Sequence, residues 1–172
     1  MANRLFAAIR GLVYASGFVL LWWWVVTVTR PMDARIAFAI PDWLRVPGIV
    51  LAVLGLALAL WCVGAFAVFG KGTPAPFDAP REFVAAGPYR YVRNPMYVGA
   101  ISVIIGAGLI LRSPSAIIVA VCFFLLAHCF VLIYEEPTLE HRFGESYLRY
   151  KGLVHRWLPT KPNYSAGDRK KK

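Results

Sequence analysis

Four stretches of this chain, 11–29, 46–70, 95–111 and 116–134, run for seventeen to twenty-five residues without a charged side chain. A bilayer core takes about 20 apolar residues per crossing helix, with a range of about 17–25. Across its 172 residues, 59% are hydrophobic and 16% charged, against about 45–50% and about 25% in a soluble domain. That leaves too few charges to cover a soluble sphere. An ordinary cytosolic enzyme, a disordered chain and a disulfide-stapled secreted domain are therefore excluded. The expected fold is all-α: a small polytopic membrane protein with about four transmembrane helices. It forms one domain over 1–160, followed by a basic tail over 161–172.

The net charge of +10 sits beside the apolar runs, so it reads as topology and attraction to anionic lipid rather than nucleic-acid binding. Four spans put the N-terminus, the 71–94 loop and the C-terminal segment on one side, with fifteen Lys and Arg there against four on the other. The positive-inside rule makes that side cytoplasmic. The first run follows Arg4 and Arg10 as a signal peptide would. It is longer than a 7–15-residue signal core, and a retained helix is expected. Trp22, Trp23 and Trp24 read as part of an interfacial belt. Cys62, Cys122 and Cys129 all lie inside apolar runs, without a CxxC, and read as small core hydrophobes.

Polar chemistry is concentrated on the cytoplasmic side. The loop from Lys71 to Asn94 carries Pro74, Pro76 and Pro80, then Gly87-Pro88, a stiff non-helical path. Arg90, Arg93 and Asn94 then precede a helix that starts at Pro95. Free N–H groups and guanidinium groups at such a place suit a carboxylate or phosphate. Tyr97 and Gly99 fall on the first turn, and Gly99 would let a backbone or a ligand approach closely. The fourth run ends in Tyr134-Glu135-Glu136-Pro137. Two carboxylates at the carboxyl end of an apolar helix are unfavourably placed for its dipole and for the membrane, so they call for a cationic partner. Arg90 and Arg93 are candidates within the protein; a cationic ligand is the other.

Beyond Pro137, Leu139, Phe143, Tyr147, Leu148 and Tyr150 recur near helical spacing. This predicts an amphipathic cytoplasmic helix on the membrane face, which Gly144 weakens without forbidding. Val154, Trp157 and Leu158 read as a surface anchor. His128, His141 and His155 are scattered and read as structural; Gly106 and Gly108 read as a close helix contact. No metal-ligand spacing, nucleotide loop or Ser/His/Asp pattern is present.

Gly87-Pro-Tyr-Arg-Tyr-Val-Arg-Asn-Pro-Met-Tyr-Val-Gly99, Tyr134-Glu-Glu-Pro137, Phe143-Gly-x-x-Tyr147-x-x-Tyr150 and Arg156-Trp-Leu-Pro159 follow one another in order. Together they resemble the integral-membrane methyltransferases, the group containing isoprenylcysteine carboxyl methyltransferases and phospholipid N-methyltransferases. The resemblance covers roughly residues 50–160 and implies S-adenosylmethionine as cofactor. It implies that Tyr97, Gly99, Glu135 and Glu136 belong to the cofactor site, with Tyr89, Arg90, Asn94 and Pro95 of the first motif beside them. Glu136, Asn94 and Arg93 are the expected catalytic residues. Asn94-Pro95 and the Tyr-Glu-Glu-Pro run are similar to the phospholipid enzymes. The Phe-Gly-x-x-Tyr-x-x-Tyr run is similar to the carboxyl methyltransferases. The glycine pair of the phospholipid enzymes is met only by Gly55, with Ala57 at the second place.

The chemistry agrees with the residues. The cofactor's sulfonium and α-ammonium are cations that Glu135 and Glu136 could hold, and its carboxylate could meet Arg90, Arg93 or the N–H groups near Tyr97. In-line methyl transfer draws much of its rate from alignment and requires no triad. The expected acceptor is a lipid or lipid-modified molecule, bearing either an isoprenylcysteine-type carboxylate or a phospholipid amine. The competing readings are a sterol-reductase-type membrane enzyme using a nicotinamide cofactor, and a non-catalytic protein that retains the fold.

Overall fold

Proline and its neighbours punctuate this chain, and the helix boundaries fall where they stand. The computed structural model describes residues 2–66, 68 and 85–161, and among these the regular structure is entirely helical. Helix α1 spans Ala2–Thr29, starting nine residues ahead of the expected run and stopping before Arg30-Pro31. A tight turn, Arg30–Arg35, follows, and a second, Asp42–Leu44, leads into α2, Arg45–Ala65. Pro74, Pro76 and Pro80 lie outside the described residues, as do Lys71, the end of the expected second span and the tail from Pro162 onward.

Helix α3, Pro95–Leu111, has the expected bounds. Pro95 opens it at a position where a missing N–H costs nothing. Arg112 closes it in the left-handed conformation, at φ +55°. Helix α4, Pro114–Phe130, is capped by Ser113, whose hydroxyl accepts from the Ala116 N–H at 3.4 Å. Asp33 Oδ1 accepts the Ser115 N–H at 2.8 Å, placing an anion at the start of the helix, where the dipole favours it. Arg112 Nε donates to the Ile40 carbonyl at 3.1 Å and so ties this corner to the loop before α2.

The fourth helix does not stop at Tyr134. It widens into a π turn over Val131–Glu135 and continues as α5, Glu136–Phe143. The Glu136 N–H reaches back five residues to the Val131 carbonyl. Pro137 lacks an N–H and its ring would crowd the carbonyl four residues earlier. The wider turn makes room for it, so the helix runs on where a break was expected. The unfavourable helix end inferred for the two glutamates therefore does not exist. Among the described residues, two helices, Asp42–Ala65 and Pro114–Phe143, are long and apolar enough to cross a membrane, and Pro95–Leu111 is a shorter apolar helix.

Helices α2 and α3 pack backbone to backbone. Gly48 and Gly55 lie seven residues apart on α2, and Gly99 and Gly106 lie seven apart on α3. Running antiparallel, Gly55 meets Gly99 and Gly48 meets Gly106. A Cβ on Gly55 would stand 2.6 Å from the Gly99 carbonyl oxygen, and one on Gly106 would stand 2.6 Å from that of Gly48. Small residues are the means by which apolar helices gain such contact. Gly108 meets Ala116 and Ile117 of α4, so Gly106 and Gly108 both serve helix contacts, as expected. Val26, Ile104, Ala116, Ala120 and Phe123 form the core shared by α1, α3 and α4.

The helix expected beyond Pro137 is broken in two. Gly144 takes φ +51° and ends α5, and α6 begins at once as Glu145–Leu153. Tyr147, Tyr150 and Val154 bury against Ala85, Leu139 and Phe143, and Tyr150 Oη donates to the Tyr89 carbonyl at 2.7 Å. Val154 and Trp157 thus point into the protein rather than forming a surface anchor; of the three residues so assigned, Leu158 alone is exposed. Cys62 is buried as expected. Cys122 and Cys129 are exposed, on a face of α4 that no other described element covers.

Candidate functional site

Most of the singled-out residues meet where the start of α3 adjoins the π turn and α5. Asn94 holds the N-cap position of α3, but its side chain does not cap. Its Nδ2 donates instead to the Arg156 carbonyl at 3.2 Å. The Arg93 backbone N–H donates to the His155 carbonyl at 2.9 Å. Five residues further along the chain, the Thr160 N–H and hydroxyl both donate to the Tyr91 carbonyl, at 2.7 and 3.0 Å. Residues 154–160 are therefore strapped along residues 91–94.

Glu136 lies under this strap, 5% exposed. Arg156 grips it with both arms of its fork, Nε to Oε1 at 2.7 Å and Nη2 to Oε2 at 2.9 Å. Arg93 Nη1 shares Oε1 at 2.8 Å, and Lys151 Nζ stands 3.4 Å from Oε2 while also pairing with Glu140. A buried carboxylate demands this much compensation, and bidentate guanidinium pairing is the strongest form of it. Glu136 is thus committed to cations of its own chain. Burial, with the Glu136 carboxylate nearby, pushes the Tyr147 phenol up to about 12, against the opposing pull of Arg93.

Glu135 is arranged differently. Its Oε2 accepts from Tyr97 Oη at 3.3 Å. An aromatic group lines the approach: the Tyr97 ring lies 6.3 Å from those of Phe123 and Trp157, and Trp157 lies 5.2 Å from Phe124. Trp157 Nε1 donates to His128 Nδ1 at 3.0 Å, the indole N–H being a donor only.

Arg93, Asn94, Tyr97, Glu135 and Glu136 are brought together. Pro95 is fully buried at the helix start. Gly99 is one turn away with its bare face on α2, where a Cβ would meet the Gly55 oxygen at 2.7 Å and the Ala59 N at 3.2 Å. What approaches closely there is a neighbouring helix. Tyr89 is buried beneath α6, its ring edge-on to Phe66 at 5.1 Å, and Arg90 is half-buried on the same Gly87–Arg90 turn. Arg156, Lys151 and Trp157 were not singled out from the sequence as site residues. The signal available was the charge balance, because a buried glutamate requires a cation, and Arg156 stands in a motif already quoted.

Comparison with known proteins gives a consistent picture. Residues 43–146 match the phospholipid methyltransferase family. The chain is 33% identical over 78 residues to a phosphatidylethanolamine N-methyltransferase of Paracoccidioides brasiliensis (strain Pb03), covering 45% of this chain and 8% of that protein. It is 30% identical over 87 residues to the protein of that name from Uncinocarpus reesii (strain UAMH 1704), covering 51% of this chain and 9% of that protein. The chain spans less than a tenth of the length of these curated relatives. The family match extends over more than half of the chain, which belongs to the phospholipid methyltransferase family.

Proposed function

We propose that this member of the phospholipid methyltransferase family transfers a methyl group from S-adenosylmethionine to the head-group amine of a phospholipid. The observation that carries the reading is the meeting of Tyr97–Glu135 with the Arg93–Glu136–Arg156 cluster at one end of α3 and α4. In the proposed arrangement the four apolar runs span the bilayer, and both termini and the site face the cytoplasm. Residues 1–160 act as one domain ahead of the basic tail.

The side chains present fit the proposed cofactor. Its α-ammonium needs a carboxylate with spare lone pairs, and Glu135 has Tyr97 as its hydrogen-bond partner among the described residues. Its carboxylate needs donors. Arg93 Nε is buried without an acceptor among the described residues, and the first-turn N–H groups of α3 lack intrahelical partners. When bound, the cofactor supplies an electrophilic methyl group on a sulfonium. This chain's own residues orient and exclude water. Glu135 holds positive charge or receives a proton from the acceptor amine at Oε2, beside the Tyr97 hydroxyl. Tyr97, Phe124 and Trp157 keep the site apolar, which strengthens charge interactions within it. Arg93 and Asn94 stay in register through the strap. An amine must lose a proton before it attacks, and Glu135 is a better acceptor than the fully paired Glu136.

Calorimetric titration of the purified full chain in detergent with S-adenosylmethionine tests the reading. Saturable binding is expected, weakened at least tenfold by Glu135→Gln. No heat from the wild-type protein would refute the proposal.

A further inference from the structure

We infer that Arg156 is a positioning residue of the site, acting through Glu136 and through the strap to hold Glu135, Arg93 and Asn94 in place for the ligand. The inference rests on the proposed methyl-transfer reading and goes beyond it, because it divides the labour between two adjacent carboxylates.

Both oxygens of Glu136 are taken up by Arg156, at 2.7 and 2.9 Å, and Oε1 is shared with Arg93 at 2.8 Å. A ligand ammonium would have to displace a bidentate guanidinium to reach it. Glu136 is therefore a hub and not a contact. The hub fixes three things at once. It pins Arg93, the residue next to Asn94 at the start of α3. It pins the first residue of α5 and so the pitch of the π turn, which sets the direction of Glu135. It also anchors Arg156, whose own carbonyl receives the Asn94 amide at 3.2 Å and whose neighbours supply the His155 carbonyl to the Arg93 N–H and the Trp157 ring to Tyr97. Removing the guanidinium leaves Glu136 buried with Arg93 and Lys151 alone and releases the strap at its centre. Lysine at 156 would keep the charge but lose the fork, so it restores attraction without direction.

A residue that acts through another is recognised by a double-mutant cycle. The affinity of the protein for S-adenosylhomocysteine is measured by calorimetry in wild type, Arg156→Gln, Arg156→Lys, Glu136→Gln and the Glu136→Gln/Arg156→Gln pair. The expected losses are about 10- to 100-fold for Arg156→Gln and smaller, about 3- to 10-fold, for Arg156→Lys. The double variant is expected to bind within about threefold of Glu136→Gln alone, because Arg156 has nothing left to hold. Size-exclusion profiles report folding, and the lysine form carries the test if the glutamine form does not fold. Wild-type affinity in Arg156→Lys and in every folded Arg156→Gln preparation would overturn the inference. Losses that multiply in the double variant would also overturn it, since Arg156 would then touch the ligand itself. A wild-type protein that binds no S-adenosylhomocysteine would refute the methyl-transfer reading instead, so the two failures are distinguishable.

Discussion

Replacing Gly55 by alanine probes how the start of α3 is held. A Cβ there would lie 2.6 Å from the Gly99 carbonyl oxygen, 2.8 Å from Ser102 Cβ and 3.0 Å from the Val103 nitrogen. Two of these three atoms are backbone, so no rotamer change relieves the contact. A normal carbon–oxygen separation is about 3.3 Å or more, so α2 and α3 must part by about 0.7 Å along the seam. Overpacking of this kind costs about 1–3 kcal/mol. Gly99→Ala meets the mirror image of the same clash, 2.7 Å from the Gly55 oxygen, and should cost a similar amount. Gly64→Ala, on the same helix with nothing within 4 Å, should cost nothing. Equilibrium unfolding in mixed micelles with increasing SDS gives the three stabilities, and titration with S-adenosylhomocysteine gives the three affinities. If Gly99 serves packing, Gly55→Ala and Gly99→Ala lose stability and affinity in parallel. A Gly55→Ala protein as stable as Gly64→Ala would refute the packing argument. A Gly99→Ala protein that keeps the stability of Gly55→Ala but loses far more affinity would place Gly99 against the ligand.

Gly144→Ala forces a side chain into φ +51°, ψ −131°, a region that favours glycine, and should destabilise the protein by about 1–3 kcal/mol, read as a lower SDS midpoint, with faster proteolysis of α6. Trp157→Phe keeps an aromatic ring, though a smaller one, but removes the 3.0 Å bond to His128, whose loss costs about 1 kcal/mol, and a further His128→Ala change should then cost less than it does in wild type. For Asp33, burial favours the neutral acid, but hydrogen bonds from Ser113 and Ser115 and the nearby Arg30 outweigh it and hold the carboxyl below its ordinary value. A depressed carboxyl contributes stability above its unfolded pKa, near about 3.9, which is lost as pH falls through the folded value. Thermal unfolding of wild type should therefore weaken from pH 5 to pH 3 more than that of Asp33→Asn.

The parts of this molecule written in local chemistry were legible from the sequence. The bounds of α3 followed from Asn94-Pro95 at one end and Arg112-Ser-Pro at the other. The adjacency of Glu135 and Glu136, and their demand for cations, could be read without coordinates. One of the cations, Arg93, could be named as well, and it does pair with Glu136. The bidentate partner could not: Arg156 reaches Glu136 from twenty residues away, through a strap whose hydrogen bonds use backbone carbonyls that carry no sequence signal. The glycine seam was hidden for a similar reason. Gly48 and Gly55 acquire meaning only when set antiparallel to Gly99 and Gly106. The π turn was missed because Pro137 ordinarily ends a helix, and one wider turn sufficed to carry the helix past it. The break at Gly144 was underestimated because helix propensity weighs only the cost of glycine inside a helix, not its ease at positive φ.

Methyl transfer itself tests the central claim most directly. The purified protein is reconstituted into vesicles containing phosphatidylethanolamine and given methyl-labelled S-adenosylmethionine, with Glu135→Gln in parallel. The account predicts base-stable label on the lipid head group from the wild type, reduced at least a hundredfold in the variant. Label released by mild base would place the methyl on a carboxylate instead. Equal head-group labelling by both proteins would contradict the role assigned to Glu135, and no label from a wild-type protein that binds the cofactor would contradict phospholipid amine as the acceptor.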